Sequence, residues 1–226
     1  MPVVVVTPTY QEADNIGAVV VGVRQAVPGA EVVVVDDASP DGTAARAAAA
    51  GARVLSRPGK LGLGSAYVLG LGTALRDGHD PIVQMDADLS HDPAALPALL
   101  AALDAGADLV LGSRYVPGGG TLHWSLTRQL LSRAGGAYAR AWTGLTVRDP
   151  TGGFKAWRAA ALRAVDLGTV HSQGYAFQVE TTVRAVAAGL RVVEVPIVFA
   201  ERRAGRSKLS PAVALDAAWT VARLGR

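Results

Sequence analysis

Residues 81–93 read PIVQMDADLSHDP. Ile82 to Met85 make a short apolar and neutral run, the pattern of a buried strand, and it stops on two acids, Asp86 and Asp88. Side chains two apart on an extended chain point the same way, so both carboxylates face one side of the strand's mouth. Two like charges that close call for a compensating cation, and oxygen ligands suit Mg²⁺ or Mn²⁺. Mg²⁺ takes one or two protein carboxylates and completes its shell with phosphate and water, which a nucleotide diphosphate would supply. A plainer reading, helix capping, accounts for Asp92 just before Pro93 but not for the Asp86/Asp88 pair.

Outward from this stretch the same unit repeats. Residues 3–6, 31–35, 52–56 and 108–111 read as further short strands, and 12–27, 41–50, 62–78 and 93–106 as the helices between them. Strand–helix alternation at this spacing predicts right-handed βαβ units and a mostly parallel α/β sheet, whose ligands sit at the carboxyl ends of the strands. The polar segments fall at those ends: 7–12, 36–42, 86–91 and 113–115. In VVVVDDASPDGTA, 32–44, an acid at the strand end can accept from ribose hydroxyls or a base edge, whereas Asp41 suits turn chemistry. An isolated phosphoacceptor Asp after a third strand, with a Lys two strands on, is missing, which excludes a response-regulator reading. Gly62-Leu63-Gly64 lacks GxGxxG spacing and there is no P-loop, so dinucleotide chemistry and kinase-type transfer are poorly supported.

The second half is less regular. A glycine turn at 116–124 precedes an amphipathic helix over 125–142, then DPTGGFKAW as turn and strand, a helix near 174–189 and a strand at 191–197. Arg128 and Ser132 stand four apart on one helix face, with Arg114 upstream, a set suited to phosphate or to a wet surface. ERRAGRSKLS, 201–210, gathers Arg202, Arg203, Arg206 and Lys208 in a basic loop that could close on a diphosphate or simply stay solvated.

The 226 residues suffice for one α/β unit over 1–226, with a nucleotide and metal half (1–113), an acceptor half (114–209) and an amphipathic C-terminal helix (210–226). The first half carries 6 Lys/Arg against 13 Asp/Glu and the second 16 against 6, an asymmetry hidden in a net +3. Basic runs interleaved with aromatics are missing, which argues against nucleic acid. Cysteine is absent, so thiolate metal sites and disulfides are excluded. The start reads as a first strand rather than a signal peptide, and apolar runs fall short of the ~20 residues of a span. The expected location is cytoplasmic, peripheral on the cytoplasmic face of a membrane. The last helix is expected to present Leu215, Trp219 and Ala222 either to a bilayer or to the core, with Arg203 and Arg206 adding attraction to anionic lipid.

PTYQEADNI, DDASPDGT, DADLSHDP, GSRYVPGGG, the Arg128/Ser132 pair, DPTGGFKAW and FAERRAGRSKLS occur in this order. Together they resemble the polyprenyl-phosphate mannose synthases of the large inverting glycosyltransferase family 2 with the GT-A fold. The likeness runs from Val3 to about Ser210, with Gln11 where the family commonly has Asn, and Ser90 where some members have a metal-holding Gln. It implies mannose transfer from GDP-mannose to a polyprenyl (dolichyl-type) phosphate with inversion. Pro8, Tyr10, Glu12, Val35 and Asp37 would cradle the guanosine, and Asp86 and Ala87 would contact the donor. Asp88, with Asp86 and Ser90 as further candidates, would hold Mg²⁺ or Mn²⁺. Arg114, Arg202 and Lys208 would grip diphosphate and sugar, and Arg128 and Ser132 the acceptor phosphate. Asp86, Asp88, Arg114 and Arg202 would be the catalytic set. A UDP-glucose-dependent transferase and a non-catalytic nucleotide-sugar-binding protein are the alternatives.

Overall fold

The computed structural model of the chain describes residues 2–201 and 211–224. The valine-rich run at the start forms β1 (Val4–Thr9), and α1 (Ile16–Ala26) returns the chain to β2 (Glu31–Asp36). Then come α2 (Thr43–Ala49), β3 (Arg53–Ser56), α3 (Leu63–Arg76) and β4 (Ile82–Gln84), followed by α4 (Leu96–Asp104) and β5 (Leu109–Ser113). The second half supplies β6 (Gly120–Leu122), α5 (Leu126–Thr143), β7 (Lys155–Trp157) and α6 (Ala159–Ala164). It ends with α7 (Gly174–Ala187), β8 (Val192–Pro196), β9 (Val198–Ala200) and α8 (Pro211–Leu224).

Seven strands share one sheet in the order β3-β2-β1-β4-β7-β5-β8, with β6 and β9 as a separate parallel pair. The expected mostly parallel sheet of the GT-A fold is observed, with one exception: β7 runs antiparallel to both neighbours. The Val/Ile strands are buried on both faces, as parallel sheets between helices must be. One core layer packs β1, β2 and β4 against α3 and α7 around Tyr67, Leu71, Trp157 and Phe177. The other packs the opposite face against α1 and α4 around Ile16, Val20, Leu96 and Leu99. Strand order reverses at β1, with β2 and β3 to one side and β4 parallel to it on the other, the place where such sheets open a crevice at their carboxyl ends.

Three loops leaving that edge contain a non-glycine residue in the left-handed region: Gln11 after β1 (φ 57°), Ala38 after β2 (φ 52°) and Leu89 after β4 (φ 60°). Such backbone is uncommon outside glycine and persists where the surroundings over-determine it, often at functional sites. The C-terminal helix forms as expected, but its inner row is Ala217, Val221 and Leu224, packed on the core, while Trp219 points outward. Leu215 is in the part of this helix whose side chains are not described, and Arg202, Arg203, Arg206 and Lys208 lie outside the described residues.

Candidate active site

The carboxyl ends of β1, β2 and β4 bring the predicted donor residues together. Pro8 pairs with Val35, both side chains buried, so what these two offer a ligand is backbone. Tyr10 lies under the Lys60 ammonium, 4.7 Å from its ring centre. Glu12 binds Asn15 through its side chain (2.9 Å), and its backbone N–H donates to the Thr43 hydroxyl (2.9 Å). Asp37 is almost fully occupied within the fold: Arg57 Nε donates to it at 2.5 Å and the backbone N–H groups of Leu61 and Gly62 donate at 3.0 and 3.3 Å. Arg57, absent from the sequence reading, thereby ties the loop before α3 to the end of β2. Asp36 is held by the hydroxyls of Thr9 (2.8 Å) and Ser39 (2.6 Å). Asp41 serves the turn, as expected: burial disfavours its charge, but hydrogen bonds from Thr43 and Ala13 outweigh that and hold it below the ordinary carboxylate range.

Asp86 and Asp88 leave β4 in different environments. Asp86 is partly open; its Oδ1 accepts from the buried Tyr67 hydroxyl (2.9 Å), and its backbone N–H donates to His91 Nδ1 (3.2 Å). Burial, reinforced by the Asp86 carboxylate, pushes the Tyr67 phenol well above its usual range, so it remains a donor. Burial likewise holds His91 below the ordinary imidazole range, against the pull of Asp86 and Asp88. With Nδ1 accepting from backbone, His91 is a neutral prop for the loop, although Asp86 Oδ2 stands 3.9 Å away. Asp88 is 4% exposed, and Ser90 donates to its Oδ1 through both hydroxyl and backbone N–H. Ser90 is fully buried and turned onto Asp88, the geometry of an orienting group. Asp92 caps the turn at Pro93 by accepting from Ala94 N–H (2.9 Å).

Among the described residues no group of three acidic or histidine side chains converges to cage a metal. Two carboxylates at one strand end nevertheless fit Mg²⁺, which takes one or two protein carboxylates and fills the rest of its shell with phosphate and water, and fit Mn²⁺ in the same way. Asp86 and Asp88 are the residues that would hold it.

Arg114 is not the free cation that its place after β5 suggested. Its Nε and Nη2 donate to the wholly buried Asp149 at 2.7 and 2.6 Å, and Thr151 accepts from Nη2 at 3.1 Å. The guanidinium also lies 5.2 to 5.6 Å from the ring centres of Tyr115, Trp124 and Phe199. Arg128 stacks on Trp124 at 4.1 Å and meets Glu201 at 3.1 Å, and Ser132 accepts from the Tyr115 hydroxyl at 2.7 Å. A continuous series of contacts joins the two sets. His91 props Asp86, packs edge-on against Phe199 (5.2 Å), Phe199 meets Trp124 (5.3 Å), and Trp124 carries Arg128. Sequence reasoning missed Tyr67, His91, Trp124, Asp149 and Phe199. His91, Asp149 and Phe199 lay inside quoted motifs and Trp124 at the end of the glycine turn, while Tyr67 becomes visible only once the sheet is assembled.

Residues 4–166 match Glycosyl transferase family 2. Over 230 aligned residues the chain is 46% identical to an undecaprenyl-phosphate mannosyltransferase of Micrococcus luteus, covering all of this chain and 94% of that protein. It is 44% identical to a polyprenol monophosphomannose synthase of Mycolicibacterium smegmatis, covering 98% and 86%. Among solved structures, glucosyl-3-phosphoglycerate synthase of Mycobacterium tuberculosis with Mn²⁺, UDP and glucosyl-3-phosphoglycerate superposes with a TM-score of 0.72. That pair shares 25% identity over 99% of this chain and 78% of that one. The fold, the acids at the end of β4 and the length of these matches converge: the chain belongs to glycosyltransferase family 2.

Proposed function

We propose that the enzyme transfers mannose from GDP-mannose to the phosphate of a polyprenyl monophosphate, with inversion. Helix α5 supports this reading most directly. One side of it carries Arg128 and Ser132, joined to the β4 acids through Trp124, Phe199 and His91. Its outer row, Leu126, Leu130, Ala134, Tyr138 and Trp142 at four-residue spacing, is solvent-exposed, with Leu126 at 77% and Leu130 at 68%. Leu131 (69%) and Trp219 of α8 extend the apolar surface, and the Tyr138 hydroxyl donates to Ala218 C=O to tie the helices together. A phosphate group beside an apolar face is what a phosphorylated lipid offers. This surface, rimmed by Arg133 and Arg223, is the membrane contact; α5 supplies more of it than the C-terminal helix expected from the sequence. No described helix is long and apolar enough to cross a membrane. The names of the two relatives, both polyprenyl-phosphate mannosyltransferases, agree with the acceptor and the sugar.

Asp86 and Asp88 would hold Mg²⁺ or Mn²⁺, which would supply positive charge to offset that of the departing diphosphate. Tyr67 and Ser90 keep the two carboxylates oriented. Pro8, Tyr10, Glu12, Val35 and Asp37 form the guanosine cradle, and Arg202 and Lys208, outside the described residues, are assigned to the diphosphate. A phosphate monoester is largely dianionic at pH 7 and attacks without a general base. His91, whose Nδ1 lone pair already accepts from the Asp86 N–H, fits that absence. Arg128 and Ser132 orient the attacking oxygen.

The deciding experiment offers purified protein GDP-mannose, UDP-glucose and other nucleotide sugars, each with a polyprenyl phosphate, and identifies the lipid product by mass spectrometry. Mannosyl-phospholipid from GDP-mannose is the expected result. Glucosyl lipid from UDP-glucose overturns the sugar assignment, and nucleotide-sugar binding without any product overturns the activity.

A further inference from the structure

A buried polar relay runs behind Asp86. Trp157 Nε1 donates to Gln84 Oε1 (3.1 Å), Gln84 Nε2 donates to Gln178 Oε1 (2.7 Å), and Trp157, Gln84 and Gln178 are at most 2% exposed. An indole N–H can only donate, so the carbonyl end of Gln84 must face Trp157 and its NH₂ must face Gln178. The orientation of Gln178 is therefore fixed as well: its oxygen is used, and its NH₂ is turned the other way. That NH₂ has no hydrogen-bond partner. An orphan buried donor is costly, and native structures keep few of them.

Its surroundings show what it faces. A Cβ placed on Gly153 would lie 3.4 Å from Gln178 Nε2, 3.4 Å from Asp86 Oδ2 and 3.6 Å from Asp86 Oδ1. The Gln178 amide nitrogen and both Asp86 carboxylate oxygens thus border the same space beside the bare Cα of Gly153. Oδ1 already accepts from Tyr67. The backbone of Gln178 is pinned too, because its carbonyl accepts from the Lys155 ammonium (2.6 Å) and the Thr182 hydroxyl (2.9 Å).

We infer that Gln178 is a positioning residue for Asp86: its free N–H closes onto Oδ2 in the donor-bound enzyme while Tyr67 keeps Oδ1. The carboxylate plane is then held from two sides when it meets its cation. This rests on the role proposed above for Asp86, not on the identity of the sugar.

The test measures the Mn²⁺ concentration that half-saturates binding in the presence of GDP, with UDP in a parallel arm, by calorimetry and without acceptor. Gln178→Met keeps the size and removes the amide; Gly153→Ala places a methyl between the two groups. Each raises the half-saturating Mn²⁺ about tenfold in the nucleotide arm to which the wild type responds; Gly153→Ala does so with unchanged Tm, while Gln178→Met also lowers Tm by taking the acceptor from Gln84. The double variant is no worse than either single one, because both break the same contact. Unchanged Mn²⁺ dependence, additive effects, or a loss that follows Tm alone overturns the inference. A wild type that responds only with UDP removes the GDP reading and leaves this comparison intact. Should either variant not fold, the wild-type crystal structure with Mn²⁺ and GDP decides. An Nε2–Oδ2 distance of about 3 Å supports the positioning role, and an amide still unpaired or bound elsewhere refutes it.

Discussion

The donor and acceptor sides of the crevice treat their charged groups in opposite ways. On the donor side three acids are buried and cross-linked: Asp37 by Arg57 and two backbone N–H groups, Asp36 by two hydroxyls, Asp88 by Ser90. On the acceptor side Arg128 is 38% exposed and rests on an aromatic face, beside leucines that face solvent. The first arrangement suits a small, highly charged ligand that must be held in one orientation, because fixed dipoles need no reorganisation when charge develops. The second suits a ligand whose bulk remains in another phase, with only its head group presented to the protein. A rigid pocket on that side would have to fit a long chain; an open shelf does not.

Substitutions on the two sides should therefore fail differently. Asp88→Ala should reduce mannosyl transfer at least a hundredfold, the scale for losing a group that stabilises developing charge, with far-UV circular dichroism unchanged. Full activity would make the acids a structural turn. Arg128→Ala should raise the KM for polyprenyl phosphate about tenfold and leave that for the nucleotide sugar within twofold. Equal damage to both would place Arg128 in the scaffold. Replacing Leu126 and Leu130 together by Ser should cut flotation with anionic liposomes by about tenfold or more, without changing transfer to a short, water-soluble prenyl phosphate. If the soluble acceptor suffers as much, the leucines serve the fold. Tyr67→Phe should lower kcat/KM by about three- to tenfold, the worth of one hydrogen bond to a charged group.

The smallest effect concerns a lysine that neither side uses. Lys155 is fully buried, and burial lowers its pKa to about 7 against the pull of Asp149. From pH 7 to about 10 the unfolded chain binds the proton more tightly than the fold does, so this group makes stability rise with pH across that window. The difference in Tm between wild type and Lys155→Met should shift in favour of the wild type from pH 7 to 10. A flat difference would mean that Lys155 titrates alike in both states.

Legibility in the sequence followed the range of the interactions. The strand ends were readable because β1, β2 and β4 are uninterrupted apolar runs that stop on polar residues, a local signal. Asp92 and Asp41 were readable for the same reason, since a cap or turn is made within a few residues. Arg114 was legible as a cation at a strand end but not as a paired one, because its partner Asp149 is 35 residues away. Tyr67 sat in a helical apolar row and gave no sign that its hydroxyl would reach Asp86, 19 positions on. The exposed face of α5 was hidden by its likeness to any amphipathic helix; which side meets the core depends on how α7 and α8 pack against the sheet. The basic loop at 202–210 remains known from its sequence.

The placement of β7 also bears on how the chain matures during synthesis. β4 and β5 are consecutive parallel strands of the first half, yet β7 separates them and pairs with both, and the other neighbour of β5 is β8. A nascent chain that has emerged only as far as residue 113 holds β3, β2, β1 and β4 as a possible four-stranded sheet, while β5 has no strand to join. The sheet closes after Lys155–Trp157 arrives, and β5 is flanked on both sides only after Val192–Pro196. Acid motif and acceptor helix thus become parts of one rigid body late and together. An interrupted translation product would carry the acids that follow β4 without the framework that joins them to α5.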